Sequence, residues 1–303
     1  MIIEANRSAA AARLRRAASR RRALGCRPAA CPSLPVRNFR LTLAYDGSGY
    51  RGWQAQPGGG TIQQRIAAAI QEISGESVIV HGSGRTDAGV HALAQVAHVQ
   101  LATEMPAENL QKALNARLPA EIRVLAAAIA PPEFHARRDA VGKTYRYRWH
   151  RAAVCPPFLH RYVHHYPYPL DEAAMAAAAQ QFAGRHDFTS LAAAGDRRAA
   201  AAAAERAAAG QPPLDATREV FRCVLARQDE ELVLEVTGSG FLRHMVRNIA
   251  GFLIEVGRGR RRGEDIPRML AARDRRQAGP TAPARGLWLV AVYYPPWQPP
   301  PRP

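Results

Sequence analysis

The sequence predicts an α+β fold: two ferredoxin-like α/β halves with mainly antiparallel sheets and a basic cleft between them. Three observations predict it. From Phe39 the apolar pattern reads β-α-β-β-α-β, the split βαβ order. A looser copy of that plan follows after residue 140. The 303 residues also carry 42 basic against 25 acidic side chains, a net charge of +17 that draws polyanions to the surface.

Each element has its own signal. Phe39–Asp46 alternates Phe39, Leu41, Leu43 and Tyr45 with smaller or polar residues, as a half-buried strand does. Thr61 is placed to cap a helix running through Ser74, with Ile62, Ile66, Ile70 and Ile73 on one stripe. Residues 76–81 read as a strand, a glycine-rich loop follows, and 94–101 read as the partner strand. Pro106 opens a second helix to Leu118, and Ile122–Ala130 is the next strand.

In the second half, Lys143–His150 alternates Tyr145, Tyr147 and Trp149. Asp171–Gly184 reads as an alanine-rich helix, and Val220–Arg227 with Glu231–Thr237 as a hairpin. Phe241–Val256 is a helix on which Arg243 and Arg247, four apart, share a face. Leu287–Tyr294 closes the chain as a strand.

These elements divide the chain into 38–140, the half that carries the glycine-rich loop, and 141–295, with a low-complexity alanine-rich insertion near 192–213. Residues 1–37 hold nine Arg and one Glu; this +8 extension is set outside the fold and leaves +9 for the rest. It fits a disordered tail, a targeting leader or an unused upstream start equally. Residues 296–303 are a proline-rich tail not expected to pack.

Composition excludes several classes. The longest apolar candidate, residues 249–256, is interrupted by Glu255 and is far shorter than the ~18–20 residues of a membrane span, so the chain reads as soluble. The four cysteines form no Cys-x-x-Cys pair, so neither a disulfide framework nor a zinc site is indicated, and a reducing, cytoplasmic compartment is expected. There is no Walker loop, nucleophile elbow, His-Glu-x-x-His helix or Rossmann fingerprint.

Chemistry concentrates in residues 81–92, His-Gly-Ser-Gly-Arg-Thr-Asp-Ala-Gly-Val-His-Ala. One carboxylate, Asp87, stands two residues after Arg85 in a loop bounded by Gly82, Gly84 and Gly89. A guanidinium nearby keeps such an acid ionised, and loops on a strand scaffold are where function tends to sit. On spacing alone a surface turn with an ion pair fits as well. Aromatic and basic residues interleave in Phe134-His135-Ala136-Arg137-Arg138 and Lys143-Thr144-Tyr145-Arg146-Tyr147, a mixture suited to stacking bases and neutralising phosphates. Arg51, in the glycine-rich turn after the first strand, is placed to face a ligand.

The run Gly84-Arg85-Thr86-Asp87-Ala88-Gly89-Val90-His91-Ala92 resembles, residue for residue, the active-site motif of the TruA-type tRNA pseudouridine synthases. Further segments are similar to that family and occur in its order. They are Tyr45-Asp46-Gly47 with Tyr50-Arg51-Gly52-Trp53-Gln54, Phe134-His135-Ala136-Arg137, Lys143-Thr144-Tyr145-Arg146-Tyr147, Phe241 to Asn248, and Gly286-Leu287-Trp288-Leu289. The resemblance spans about residues 38–295, is absent from 1–36 and weakens across 192–219.

The resemblance implies the pseudouridine synthase fold of RRM-like halves. It also implies isomerisation of uridine at positions 38, 39 and 40 of the tRNA anticodon stem-loop, by a homodimer without metal or cofactor. It makes Asp87 the nucleophile or base, with Arg85 holding the site and filling the space of an extruded nucleotide. Tyr145 is implied to stack on the uracil, Arg247 to pair with Asp87, and Leu287 or Leu289 to line the pocket. Arg51, His135, Arg137 and Arg243 are further candidates for substrate contact. A non-catalytic RNA-binding protein of two ferredoxin-like modules is the alternative, and it needs no Asp87.

Overall fold

The computed structural model describes residues 34–193 and 215–299. The extension up to residue 33, the insertion from residue 194 and the last four residues lie outside that description. The first half contains β1 (Val36–Tyr45), α1 (Ile62–Ser74), β2 (His81–Gly82), β3 (His91–Ala102), α2 (Ala107–Arg117) and β4 (Ile122–Ala130). The second contains β5 (Gly142–His150), β6 (His164–His165), α3 (Glu172–Gln180), β7 (Gly184–Asp187), β8 (Thr217–Gln228) and β9 (Glu231–Gly238). It is completed by α4 (Met245–Gly257), α5 (Asp265–Ala271) and β10 (Leu287–Tyr293).

The α+β class and the mainly antiparallel pairing hold, but the halves do not close separate sheets. All ten described strands belong to one sheet, ordered β4-β1-β3-β10-β5-β9-β8-β7, with β2 on β3 and β6 on β5. The join is the closing strand: β10 runs parallel to β3, Trp288 opposite His91 and Leu289 opposite Ala92, and antiparallel to β5. One edge of β3 is given to β1, while the other is split between β10 at His91–Ala92 and β2 at Ala97–His98. Residues 83–90, between β2 and β3, therefore lie where the two halves meet.

Local signals explain the elements that match. Thr61 Oγ1 accepts from Gln64 N at 3.4 Å at the start of α1, and Gly75 ends the helix in a left-handed conformation. Ile62, Ile66 and Ile70 are fully buried and join Phe39, Leu41 and Leu43 of β1 in the core. Around α4, Ile249, Phe252 and Leu253 are equally buried, with Phe182 edge-on to Phe252 at 6.0 Å. Burying one side chain of this size stabilises by ~1.5–3 kcal/mol.

Four expectations are corrected. The strand expected over 76–81 is paired only at His81–Gly82, because the Glu76 carboxylate takes up Ala102 N at 3.1 Å where strand pairing was expected. The helix expected from Phe241 begins at Met245, because His244 adopts a left-handed backbone at φ 63° and breaks the turn. Arg243 therefore precedes the helix and does not share a helical face with Arg247. The helix expected to reach Gly184 ends at Gln180, and 184–187 pair with β8 instead. Finally, the proline-rich tail packs at its start: Trp297 stacks on Tyr293 with ring centres 4.1 Å apart.

Candidate active site

The loop from Ser83 to Val90 is held from behind by a buried polar network. Ser83 N donates to Val96 O at 2.7 Å, and Ser83 Oγ donates to Gln95 Oε1 at 2.6 Å. Gln95, itself fully buried, donates through Nε2 to Gly84 O at 3.0 Å. Tyr45 and Thr86 share a hydroxyl–hydroxyl bond of 2.9 Å, and Trp53 N donates to Thr86 O at 3.0 Å. Burial pushes the Tyr45 hydroxyl up to about 12, so it stays a neutral member of the network. Buried groups satisfied in this way stiffen the loop they hold.

The turn from Asp46 to Trp53 forms the other wall. Gly52 has φ 88°, and a Cβ there would lie 2.6 Å from Thr86 O and 3.0 Å from the Asp87 carbonyl carbon. A Cβ at Gly47 would come within 2.0 Å of Val90 O. Only glycine lets this turn lie so close against the loop. Asp46 also ties the turn to His91, whose Nδ1 is 3.2 Å from Asp46 Oδ1, and to Tyr162, whose hydroxyl donates to Oδ2 at 3.0 Å.

Asp87 projects from this frame toward the start of α4. Arg247 Nη1 lies 3.3 Å from its Oδ2, His244 Nε2 3.4 Å from the same oxygen, and Arg243 Nε 3.9 Å from Oδ1. The carboxyl side chain keeps 23% exposure, enough for a ligand to reach. Arg247 is anchored by its Nε, which donates to Ala282 O at 2.8 Å. The N-terminal end of α4 adds its partial positive charge. Burial first, then the neighbouring arginines, lower the His244 pKa against the opposing pull of Asp87.

Tyr145 is buried on β5 with Phe241 edge-on at 5.1 Å. Burial, then the nearby Tyr45 hydroxyl and Asp87 carboxylate, drive its pKa well above the ordinary tyrosine value. Among the described residues its hydroxyl has no hydrogen-bond partner. Leu289, fully buried, stands directly across from Tyr145, and Leu287 across from Tyr147.

Other sequence candidates are placed apart from this grouping. Arg85 is exposed and makes no ion pair with Asp87; among the described residues it has no partner at all. Arg51 folds onto its own glycine-rich turn, with Nη1 donating to Pro57 O at 3.4 Å. His135 packs into a cluster with His98 at 4.6 Å and His81 at 5.5 Å, and its Nδ1 accepts from Arg137 N at 3.1 Å. Arg137 is exposed. Sequence reasoning missed His244, although it sits between Arg243 and Arg247; a lone histidine in an apolar helix pattern carries no positional signal. No group of three or more His, Cys, Asp or Glu side chains among the described residues is arranged to hold a metal.

What the grouping offers is an accessible carboxylate held by cations, beside a neutral buried phenol and an apolar wall. Known proteins are similar to the chain over most of its length. A family model described as tRNA pseudouridine synthase matches residues 42–139 and 178–295, more than half of the chain. A tRNA pseudouridine synthase A of Solibacter usitatus is 48% identical over 259 residues, covering 86% of this chain and all of the relative. Proteins of the same name from Moorella thermoacetica and Limosilactobacillus fermentum are 44% and 41% identical, covering 84% and 86% of this chain and 99% and 96% of their own lengths.

Proposed function

The chain belongs to the tRNA pseudouridine synthase family and is an isomerase; we propose that it converts uridine to pseudouridine at positions 38, 39 and 40 of the tRNA anticodon stem-loop, with Asp87 as the reacting carboxylate. The observation that carries this reading is the position of Asp87, drawn to Arg247 and His244 and close enough to the buried Tyr145 for its charge to act on the phenol.

The chemistry needs few parts. The C1′–N1 bond of the nucleoside breaks, the uracil turns, and a C1′–C5 bond forms; a proton leaves C5 and N1 ends protonated. Asp87 serves either by attacking C1′ or by removing the 2′ proton to give a glycal. Either route uses the carboxylate, and the guanidinium of Arg247, 3.3 Å from Oδ2, fixes its direction. Arg243 adds positive charge on the exposed side.

Tyr145 supplies an aromatic face against which the turning uracil is held, closed from the side by Leu289 and Leu287. Its hydroxyl stays protonated at neutral pH, so it takes up the C5 proton only as it passes its own to the Asp87 carboxylate or to water. A base inside a stem must first leave the stack. The exposed, unpaired Arg85 is suited to take its place, a role that does not require contact with Asp87. Arg51 and Arg137 are exposed and His135 is half-buried, and all three remain candidates for contact with the RNA outside the uracil pocket. We place the enzyme in the cytoplasm as a homodimer, which the family resemblance supports and sedimentation of the purified chain tests.

The experiment is tritium release from transcribed tRNA labelled at uracil C5, comparing wild type with Asp87→Asn. Release by the wild type alone, with no free uracil, is expected. Salt-dependent binding by both proteins with release by neither would replace this reading with the RNA-binding alternative.

A further inference from the structure

Lys143 is one of only two lysines in the chain, and no role in the reaction described above falls to it. It lies on β5 two residues before Tyr145, so the two side chains share a face of the strand. Its Nζ donates to Ser83 O at 2.7 Å, at the base of the Asp87 loop. A Cβ on Gly84 would stand 3.3 Å from the same nitrogen.

Among the described residues this ammonium has no carboxylate partner. Its charged neighbours are cations instead. Burial first, then the Arg137 and Arg218 guanidiniums, bring its pKa down to about 8. Arg137 comes from the segment before β5, is exposed, and among the described residues makes no ion pair. Arg218, on β8, spends Nη1 on the Asp215 and Thr217 carbonyls at 2.9 and 2.6 Å, and lies two residues before Val220, which pairs with Gly238, the β9 partner of Lys143. A half-buried ammonium next to like charges is costly unless an anion completes the group.

We propose that Lys143, Arg137 and Arg218 form a binding site for a backbone phosphate of the RNA substrate, and that Lys143 couples this phosphate to the catalytic loop through the Ser83 carbonyl. Two residues along a strand span ~7 Å. The phosphate bound here therefore flanks the nucleoside whose base rests on Tyr145. The inference rests on the RNA-modifying reading above. It adds to that reading a contact that positions the substrate and the acid together.

The test uses the full chain carrying Asp87→Asn, which allows binding without turnover. Its affinity for transcribed tRNA is measured across a salt series, alone and with Lys143→Gln, Lys143→Arg, Arg137→Gln or Arg218→Gln. Each Gln variant is expected to flatten the plot of log affinity against log salt by up to about one unit, the whole contribution of a single phosphate, and to weaken binding about tenfold at low salt. Lys143→Arg is expected to keep the slope. A lysine that only pins Ser83 would leave the slope unchanged, whatever it did to turnover. If Lys143→Gln unfolds, the two arginine variants carry the test.

Unchanged slopes in the folded variants, with an active wild type, overturn the phosphate site and leave the isomerase reading intact. A wild type that releases no C5 tritium, with slopes that still fall, overturns the isomerase and leaves the phosphate site standing.

Discussion

Arg247 reaches Asp87 across 160 residues of chain, its Nη1 3.3 Å from Oδ2 while its Nε is occupied by the Ala282 carbonyl at 2.8 Å. One guanidinium thus holds the Asp87 carboxylate and the segment leading to β10 at once.

A lysine lacks the fork that puts two separate nitrogens on these two partners. Arg247→Lys is expected to lower the single-turnover rate about 10- to 100-fold, as the loss of one charge-assisted bond of ~1.5–3 kcal/mol implies. Arg247→Ala is expected to fall further. Single-turnover kinetics on transcribed tRNA check both, and a lysine variant within twofold of wild type would show that the fork geometry is dispensable.

Tyr145 is held neutral by burial and by the nearby carboxylate. The rate profile of the wild type is therefore expected to show no tyrosinate limb up to about pH 10, the ordinary tyrosine value. Tyr145→Phe keeps the ring and is expected to bind tRNA normally while slowing C5 tritium release. Tyr145→Ala is expected to lose binding as well, by the ~1–3 kcal/mol of one stacked base. A pH–rate series with the three proteins separates the roles of ring and hydroxyl.

His98 is buried between His135 and His81, and its pKa is brought down to about 4, chiefly by burial and then by those two rings. A depressed histidine binds its proton more readily in the unfolded chain. Its contribution to stability is therefore present above the ordinary value of 6.5 and is lost as pH falls from there to about 4. His98→Gln retains an acceptor for Ala136 N, which His98 Nδ1 now holds at 3.1 Å. The substitution is expected to reduce the acid loss by about 1–3 kcal/mol. Urea unfolding at pH 7.5 and at pH 4.5 measures it. His81, His91, His164 and His244 are lowered in the same direction and contribute to the dependence that remains.

Gly52→Ala places a methyl group 2.6 Å from Thr86 O at a backbone angle of φ 88°. The expected cost is about 1–3 kcal/mol in stability, with a larger fall in activity because the loop that must move is the one bearing Asp87. Gly49→Ala, where a Cβ meets nothing within 4 Å, is expected to stay within about 0.5 kcal/mol of wild type. Thermal melts and tritium release on the pair distinguish strain at Gly52 from a general effect of losing a glycine in this turn.

Legibility differed from element to element for physical reasons. The isoleucine stripe of α1 and its Thr61 cap were readable because burial against one layer repeats at helical spacing and capping is local. The left-handed His244 was not, since nothing in its neighbours requires that conformation; it moved the start of α4 and freed Arg243 from the helix. Residues 76–80 have strand-like composition without a strand partner, and composition is silent on pairing. Trp297 sits among prolines that read as a loose tail, but Tyr293 gives it a flat face to stack on.

The sequence by itself determined the inventory of the site: one acid in a glycine-bounded loop, an aromatic strand, an arginine-bearing segment before a helix, and the family they resemble. The resemblance had already named Arg247 as the partner of Asp87, and the tertiary structure alone supplies the reason the two meet. Adjacent spacing pointed to Arg85, two residues away, which faces solvent. The partner is Arg247, because β10 inserts between β3 and β5 and so brings the loop against the start of α4. Charge pairing depends on distance through space, and only the closed sheet sets that distance.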